Sequence, residues 1–270
     1  MTTPLRAVSY GAGVQSTALL ALAALGKIDY PLFVFANVGD DSEHPASLAY
    51  YRDHAVPFAA EHGIELVEVN KKPKRGRFAG QIETLYKCLT HADSRSIGIP
   101  VRMAGGAPGQ RSCTAEFKIR PVARELQRRG ATKETPALVG IGISVDEIQR
   151  ARPGIDPREP SQNRTYPLLD LGIHRKDCPA IIQSVGLPVP GRSSCYFCPF
   201  HSPEDWRVMR RLEPDLFAKS VALEQTLNDR RTKLGKDAVY FHAALAPLDR
   251  AVDEQPTLPG MDDCGGWCHT

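Results

Sequence analysis

The chain has 270 residues, 42% hydrophobic and 24% charged, with a net charge of +3. That length allows one large domain or a main domain with a smaller appendage, and the apolar fraction suffices for a sizeable core. The near-balanced charge does not demand a polyanionic partner; the N-terminus lacks a secretory pattern and the apolar run 18–25 is too short to span a bilayer, so the expectation is a cytoplasmic protein without a membrane partner.

In chain order, residues 5–9 read as a short buried strand that feeds a glycine loop, Ser9-Tyr10-Gly11-Ala12-Gly13-Val14-Gln15-Ser16-Thr17. A helix follows over 16–25, stopped by Gly26, then a second strand over 32–37. A helix over 45–62, closed by Gly63, leads to a third strand over 64–69. This β-α-β-α-β order predicts a parallel sheet with helices on its faces. A helix over 119–129 and a strand over 137–143 continue the pattern. Between the third and fourth strands lies a polar insertion, about 71–110, with one helix near 81–90. Residues 153–163 read as a surface loop or lid; a helix near 176–185, a cysteine pair and a charged helical stretch over 203–233 come next. The expected organisation is an α/β, doubly wound parallel-sheet domain of about five strands over 1–170, a small C-terminal cysteine-bearing lobe over 171–250, and a flexible tail over 251–270.

The loop carries the first chemical signal. A strand, a glycine loop and a helix in direct succession place backbone N–H groups and a positive helix end at one spot. Gly11 and Gly13 let the backbone close round an oxyanion, and Ser16 and Thr17 stand in the first turn, where hydroxyls cap the helix or bond phosphate. The loop has no Gly-Lys-Ser/Thr, so it is not a Walker loop, and Ser16 stands where the dinucleotide pattern needs a third glycine. Asn37-Val38-Gly39-Asp40 follows the second strand, at the strand end where open sheets bind ligands. Arg111-Ser112-Cys113-Thr114-Ala115-Glu116-Phe117-Lys118-Ile119-Arg120-Pro121 brings a thiol and several cations to a helix start. Gly142, Glu147 and Arg150 follow the fourth strand, with Glu147 and Arg150 spaced to share a helix face.

Together these segments resemble the PP-loop ATP pyrophosphatase superfamily, and within it the phosphoadenosine phosphosulfate reductase-like branch, to which DNA phosphorothioation-type sulfurtransferases are similar. Gly13, Val14 and Ser16 align with the family's Ser-Gly-Gly-x-Asp-Ser loop, whereas Gly11, Ala12 and Gln15 replace its Ser, Gly and Asp. Asn37–Asp40 resembles the family's Asp-Thr-Gly turn in altered order, Cys113–Pro121 its Cys-Thr-x-x-x-Lys-Ile-x-Pro segment, and Gly140–Arg150 its Gly-Ile-Arg-x-x-Glu-Ser-x-x-Arg segment. The resemblance covers about residues 5–202. It implies an adenine nucleotide alpha hydrolase-like fold that binds ATP, with magnesium as a counter-ion. The implied nucleotide residues are Ser9, Gly11, Gly13, Val14, Gln15, Ser16, Thr17, Asn37, Asp40, Gly142 and Glu147, and the implied catalytic residues Cys113, Lys118 and Arg150.

Cys195-Tyr196-Phe197-Cys198-Pro199-Phe200-His201 is the second anchor, since two thiolates on one turn can share a metal. With Cys113 as a distant ligand and His201 as a fourth, the set fits a [4Fe–4S] cluster, favoured by the sulfur context, or a structural zinc site. A redox-active thiol pair is the third reading. Cys264 and Cys268 form a weaker pair in the tail, and Cys88 and Cys178 read as buried thiols. The basic run Lys71-Lys72-Pro73-Lys74-Arg75-Gly76-Arg77 fits a solvated loop or a contact for tRNA, DNA or a bis-phosphorylated nucleotide.

The leading expectation is an ATP-dependent sulfur transferase that adenylates an acceptor and replaces oxygen by sulfur. An adenylyl-sulfate or phosphoadenylyl-sulfate reductase is the runner-up. A non-catalytic nucleotide- and metal-binding component of a modification or defence complex stands third, kept open by Gln15. The partners are an adenine nucleotide, a nucleic-acid or small-molecule acceptor, a sulfur donor or thiol reductant, and, as an allowed assembly, a second copy in a homodimer.

Overall fold

The computed structural model describes residues 4–76, 78–91, 94, 96–155 and 157–252. In chain order the elements are β1 (Arg6–Tyr10), α1 (Val14–Ala24), β2 (Leu32–Ala36), α2 (Pro45–Tyr50), α3 (Val56–Glu61), β3 (Glu65–Val69), α4 (Leu85–Thr90), α5 (Arg120–Arg128) and β4 (Ala137–Ile141). They continue with β5 (Gly154–Ile155), β6 (Gln162–Thr165), α6 (Pro167–Asp170), α7 (Cys178–Ser184), α8 (Pro203–Leu212), α9 (Pro214–Lys233) and α10 (Leu248–Ala251). The six-stranded sheet has the order β3-β2-β1-β4-β6-β5. Every pairing is parallel except β5 with β6.

Side-chain alternation explains the helices on both faces. In β1, Val8 and Tyr10 point to one face and pack with Phe33, Phe35, Leu19 and Leu20 of α1, Phe58 of α3 and Ile182 of α7. Ala7 points to the other face, with Leu32, Val34, Val139 and Val122 and Leu126 of α5. β2, Leu-Phe-Val-Phe-Ala, is buried along its whole length, as a strand covered on both faces requires. Helix α1 is buried continuously from Ser16 to Leu22, between β1 and α7.

The described residues divide into two compact units, one made of residues 4–84 with Thr114–Ser194, the other of Leu85–Cys113 with residues 195–252. The first contains the whole sheet. The second is built on α9, whose Glu224 carboxylate is buried and accepts the backbone N–H groups of Phe241 at 2.6 Å and Leu248 at 2.8 Å. Arg230 of α9 donates to the carbonyl of Leu89 at 2.7 Å, and Arg102 exchanges backbone bonds with Tyr240 at 2.7 and 3.0 Å. Those bonds tie residues 85–113 into the cysteine-bearing unit, so the chain passes between units at 84/85, 113/114 and 194/195.

Several elements differ from the sequence expectation. Residues 153–163, expected as a loop or lid, contain β5 and the start of β6, whose polar Gln-Asn-Arg-Thr carries no apolar strand signal. The helix expected over 45–62 is two α-helices joined by a π turn, Tyr51–Ala55, and another π turn, Thr114–Ile119, precedes α5. The stretch 203–233 is two helices, broken at Glu213 before Pro214. The tail expected over 251–270, with Cys264 and Cys268, lies outside the described residues from 253 on. Among the described residues no helix is long and apolar enough to cross a membrane.

Candidate functional site

Parallel strand order reverses between β1 and β4, and ligands of open α/β sheets bind at the carboxyl ends of the strands at such a switch point. The Gly11–Gly13 loop occupies that place, leaving β1 and entering α1. Ala12 has a left-handed backbone, φ 54°, which costs a non-glycine residue about 1–2 kcal/mol and turns successive N–H groups toward one side. Ser16 braces the turn: its hydroxyl donates to the Gly13 carbonyl at 3.0 Å and accepts the Gly13 N–H at 3.2 Å. The first turn of α1 holds no acidic side chain, so its positive end is not neutralised from within. Ser193 closes over the loop, donating its hydroxyl to the Gly11 carbonyl, and a Cβ on Gly13 would lie 3.3 Å from the Ser193 Cβ.

The remaining expected loop residues take structural positions. Thr17 is fully buried, its hydroxyl 3.1 Å from the Tyr10 phenol, whose pKa burial pushes upward. Val14 packs against the core below the loop, and Ser9 stands in β1 between Val34 and Ile141. Gln15 points sideways to the segment after β4. Its Nε2 donates to Ser144 at 2.9 Å and to Glu147 at 2.6 Å, and its Oε1 accepts from Arg175 at 3.5 Å. Gly142 lets β4's end approach α1: a Cβ there would meet the Ser16 nitrogen at 3.1 Å and the Gln15 carbonyl carbon at 3.2 Å.

Glu147 and Arg150 pair on a 3-10 turn, Val145–Arg150, as their spacing predicts. Asp146 accepts the Arg175 backbone N–H at 2.6 Å and lies 2.9 Å from the His174 ring, contacts that lower its carboxyl to about 2. Asn37 is buried and saturated: its amide nitrogen donates to Asp40 at 2.8 Å and Glu68 at 2.9 Å, while its oxygen accepts the Gly39 N–H at 2.8 Å. Asp40 is held below the usual carboxylate range by Asn37 and by Arg52, 2.6 Å away. Lys118 lies 3.4 Å from the Glu43 carboxylate. In the basic run, Lys71 pairs with Glu83 at 2.9 Å and covers the Phe117 ring, Lys72 and Lys74 are exposed, and Arg77 is outside the described residues.

In the second unit, Cys195 and Cys198 lie on one tight turn, where the Cys198 N–H donates to the Cys195 carbonyl at 3.1 Å. His201 folds back on the same turn, with Nε2 3.0 Å from that carbonyl and its ring against buried Trp206. Its Nδ1 is buried without a hydrogen-bond partner, 3.8 Å from Asp205. Two thiols and an imidazole oriented by a carbonyl have the donor chemistry of a soft-metal half-site. Cys113 belongs to the same unit, its N–H donating to Gly98 at 2.7 Å. No group of three or more His, Cys, Asp or Glu side chains is gathered as a metal site among the described residues. No disulfide joins the described cysteines. Cys178 is wholly buried, as expected, and burial raises its thiol to about 11; Cys88 instead is half-buried.

Sequence reasoning missed Ser193, Ser144, Arg175 and Glu43; Ser144 lies inside the Gly140–Arg150 segment without being singled out, and the other three stand at no motif position. Compared with protein-family models and with curated proteins, the chain matches none significantly.

Proposed function

We propose that this protein is an ATP-dependent sulfur transferase of the PP-loop type. The observation that carries the reading is the glycine loop at the β1/β4 switch point, with its strained Ala12 and an α1 start free of acidic side chains. Such a loop is complementary to phosphate oxygens, and the motifs resembling the PP-loop branch make an adenine nucleotide the ligand. Backbone N–H groups of the Gly11–Val14 loop other than that of Gly13, which Ser16 accepts, hold the phosphates, and Lys118 and Arg150 add cationic charge on the same edge of the sheet. Gln15 and Gly142 shape the pocket from behind, through contacts that keep the loop against the end of β4, and Asn37 orders the turn after β2.

In the reaction an acceptor oxygen bonds to the α-phosphorus, and pyrophosphate leaves with the electron pair of the broken P–O bond. A sulfur nucleophile then displaces AMP from the acceptor: sulfide gives the thio-product directly, whereas the outer sulfur of a persulfide forms a mixed disulfide, which a second thiol cleaves to release the product and leave a disulfide with the carrier. Loop N–H groups stabilise the charge that builds on the phosphates. Cys113, Cys195 and Cys198 are the thiols proposed to handle sulfur; with His201 they are the candidate ligands for a [4Fe–4S] cluster or zinc, a set that this structure does not gather into one metal site.

The test is pyrophosphate release from ATP by anaerobically purified protein, supplied with sulfide and with nucleic-acid or small-molecule acceptors in turn. Acceptor-dependent release supports the transferase. ATP binding without release from any acceptor class refutes it, and sulfite release from a sulfonucleotide in the presence of a thiol reductant assigns a reductase instead.

A further inference from the structure

Glu43 is a buried acid in unusual surroundings. It stands in the turn after β2, where its N–H donates to the Gly39 carbonyl at 2.9 Å. The residue is 2% exposed, yet neither carboxylate oxygen has a hydrogen-bond partner. An ionised carboxylate enclosed without donors is among the costliest groups a fold can bury unless a cation compensates it. The recorded cation is the Lys118 ammonium, 3.4 Å from Oε1. The pair is asymmetric: 2% of the Glu43 side chain is exposed against 39% of Lys118. The anion is shut in and the cation stands at the surface, so Glu43 cannot itself touch a ligand, whereas it can fix where Lys118 stands.

That place is the loop's own edge of the sheet. Glu43 follows the carboxyl end of β2, and the turn carrying Lys118 packs on β2. The next residue, His44, donates its N–H to the Ser194 carbonyl at 3.1 Å, and the neighbouring Ser193 hydroxyl donates to Gly11. Two hydrogen bonds therefore connect the Glu43 turn to the phosphate loop.

We propose that Glu43 is a positioning residue that holds the Lys118 ammonium on the phosphates of a nucleotide seated at Gly11–Gly13. The inference rests on the nucleotide reading and deepens it. An ordinary structural ion pair would stabilise the turn and leave phosphate recognition unaffected, which makes the two roles separable.

The experiment is calorimetric titration of the full chain with ATP and with adenosine, using the wild type, Glu43→Gln, Lys118→Met and the double variant. Glu43→Gln is expected to weaken ATP by about tenfold, the scale of one charge-assisted hydrogen bond, while adenosine affinity stays within about twofold. The double variant should bind ATP no more weakly than Lys118→Met alone, because the two residues act as one unit. Unchanged ATP binding by Glu43→Gln, or equal losses for ATP and adenosine, overturns the inference alone. Absence of ATP binding by the wild type overturns the nucleotide reading and the inference with it. Where Glu43→Gln does not fold, Glu43→Asp carries the test: the shorter arm draws the cation back, and ATP binding unchanged from wild type would be the refuting result.

Discussion

Substituting Gln15→Glu reverses one hydrogen-bonding group at the point where the glycine loop is tied to the segment after β4. The wild-type carboxamide donates to Glu147 at 2.6 Å and to Ser144 at 2.9 Å. A carboxylate of the same shape donates neither bond, and the one to a charged acceptor alone is worth about 1.5–3 kcal/mol. It also sets two negative charges against each other. After relaxation to roughly 4 Å their repulsion is about 1 kcal/mol in water and about 4 kcal/mol at an effective dielectric of 20. The Glu147 side chain is 20% exposed, which favours the larger value, while Arg150 and Arg175 offset part of it. A net loss of about 2–4 kcal/mol is expected, or roughly 4–16 °C in the melting temperature of a unit this size. Adding Glu147→Gln exchanges donor and acceptor across the same contact and should recover at least half of the loss. Thermal melts and urea titrations of the two single variants and the double variant measure this, with ATP titrations alongside. A Gln15→Glu protein within about 0.5 kcal/mol of wild type, the usual range for surface changes, would show that the tether does not hold the loop.

Gly39→Ala should be severe, because φ is +129° and the new Cβ would lie 2.5 Å from the Thr84 Cβ; a loss above about 3 kcal/mol is expected in urea titration, and a loss below 1 would contradict this turn. Asp146 gives a pH signature. Its carboxyl is lowered from 3.8 to about 2, by the Arg175 N–H first and His174 second, so its contribution is present above pH 4 and drains away as pH falls toward 2. Urea midpoints of wild type and Asp146→Asn should therefore differ at pH 6 and converge near pH 2; a pH-independent difference would rule this out. Mass spectrometry after brief alkylation of chelator-treated, metal-free protein at pH 8 should find Cys178 unmodified, because burial encloses it and holds its thiol near 11, while the half-buried Cys195 and Cys198 react. Modification of Cys178 at the rate of Cys195 would refute the packing around α7.

Fold class was legible because β1, β2 and β4 announce themselves chemically. Leu32–Ala36 and Ala137–Ile141 are apolar runs bounded by turn residues, and Gly26 and Gly63 end helices where the backbone must turn left-handed, at φ 65° and 66°. β6 was not legible. Its central place next to β4 comes from backbone bonding, and Gln162–Thr165 has neither apolar alternation nor β-branched enrichment beyond one threonine. The assignment of 85–113 to the second unit was hidden for a similar reason. It depends on single contacts such as Arg230 with the Leu89 carbonyl, 141 residues apart, and no local pattern encodes those.

The site divides along the same line. Local chemistry predicts that Gly11–Ser16 can close on an anion, because each requirement is met within one turn of chain. What the side chains do there is decided by distant partners: Gln15 by Glu147, 132 residues on, and Gly11 by Ser193, 182 residues on. Once those partners are placed, the amide at Gln15 takes a definite physical role. A carboxylate at position 15 would face Glu147 at hydrogen-bond distance, whereas the amide turns that encounter into a donated bond. The segment after β4 thus keeps its negative charge at Glu147, already paired with Arg150, and the loop contributes a neutral donor. The start of α1 is left without any carboxylate of its own, the electrostatic condition under which backbone N–H groups bind phosphate most strongly.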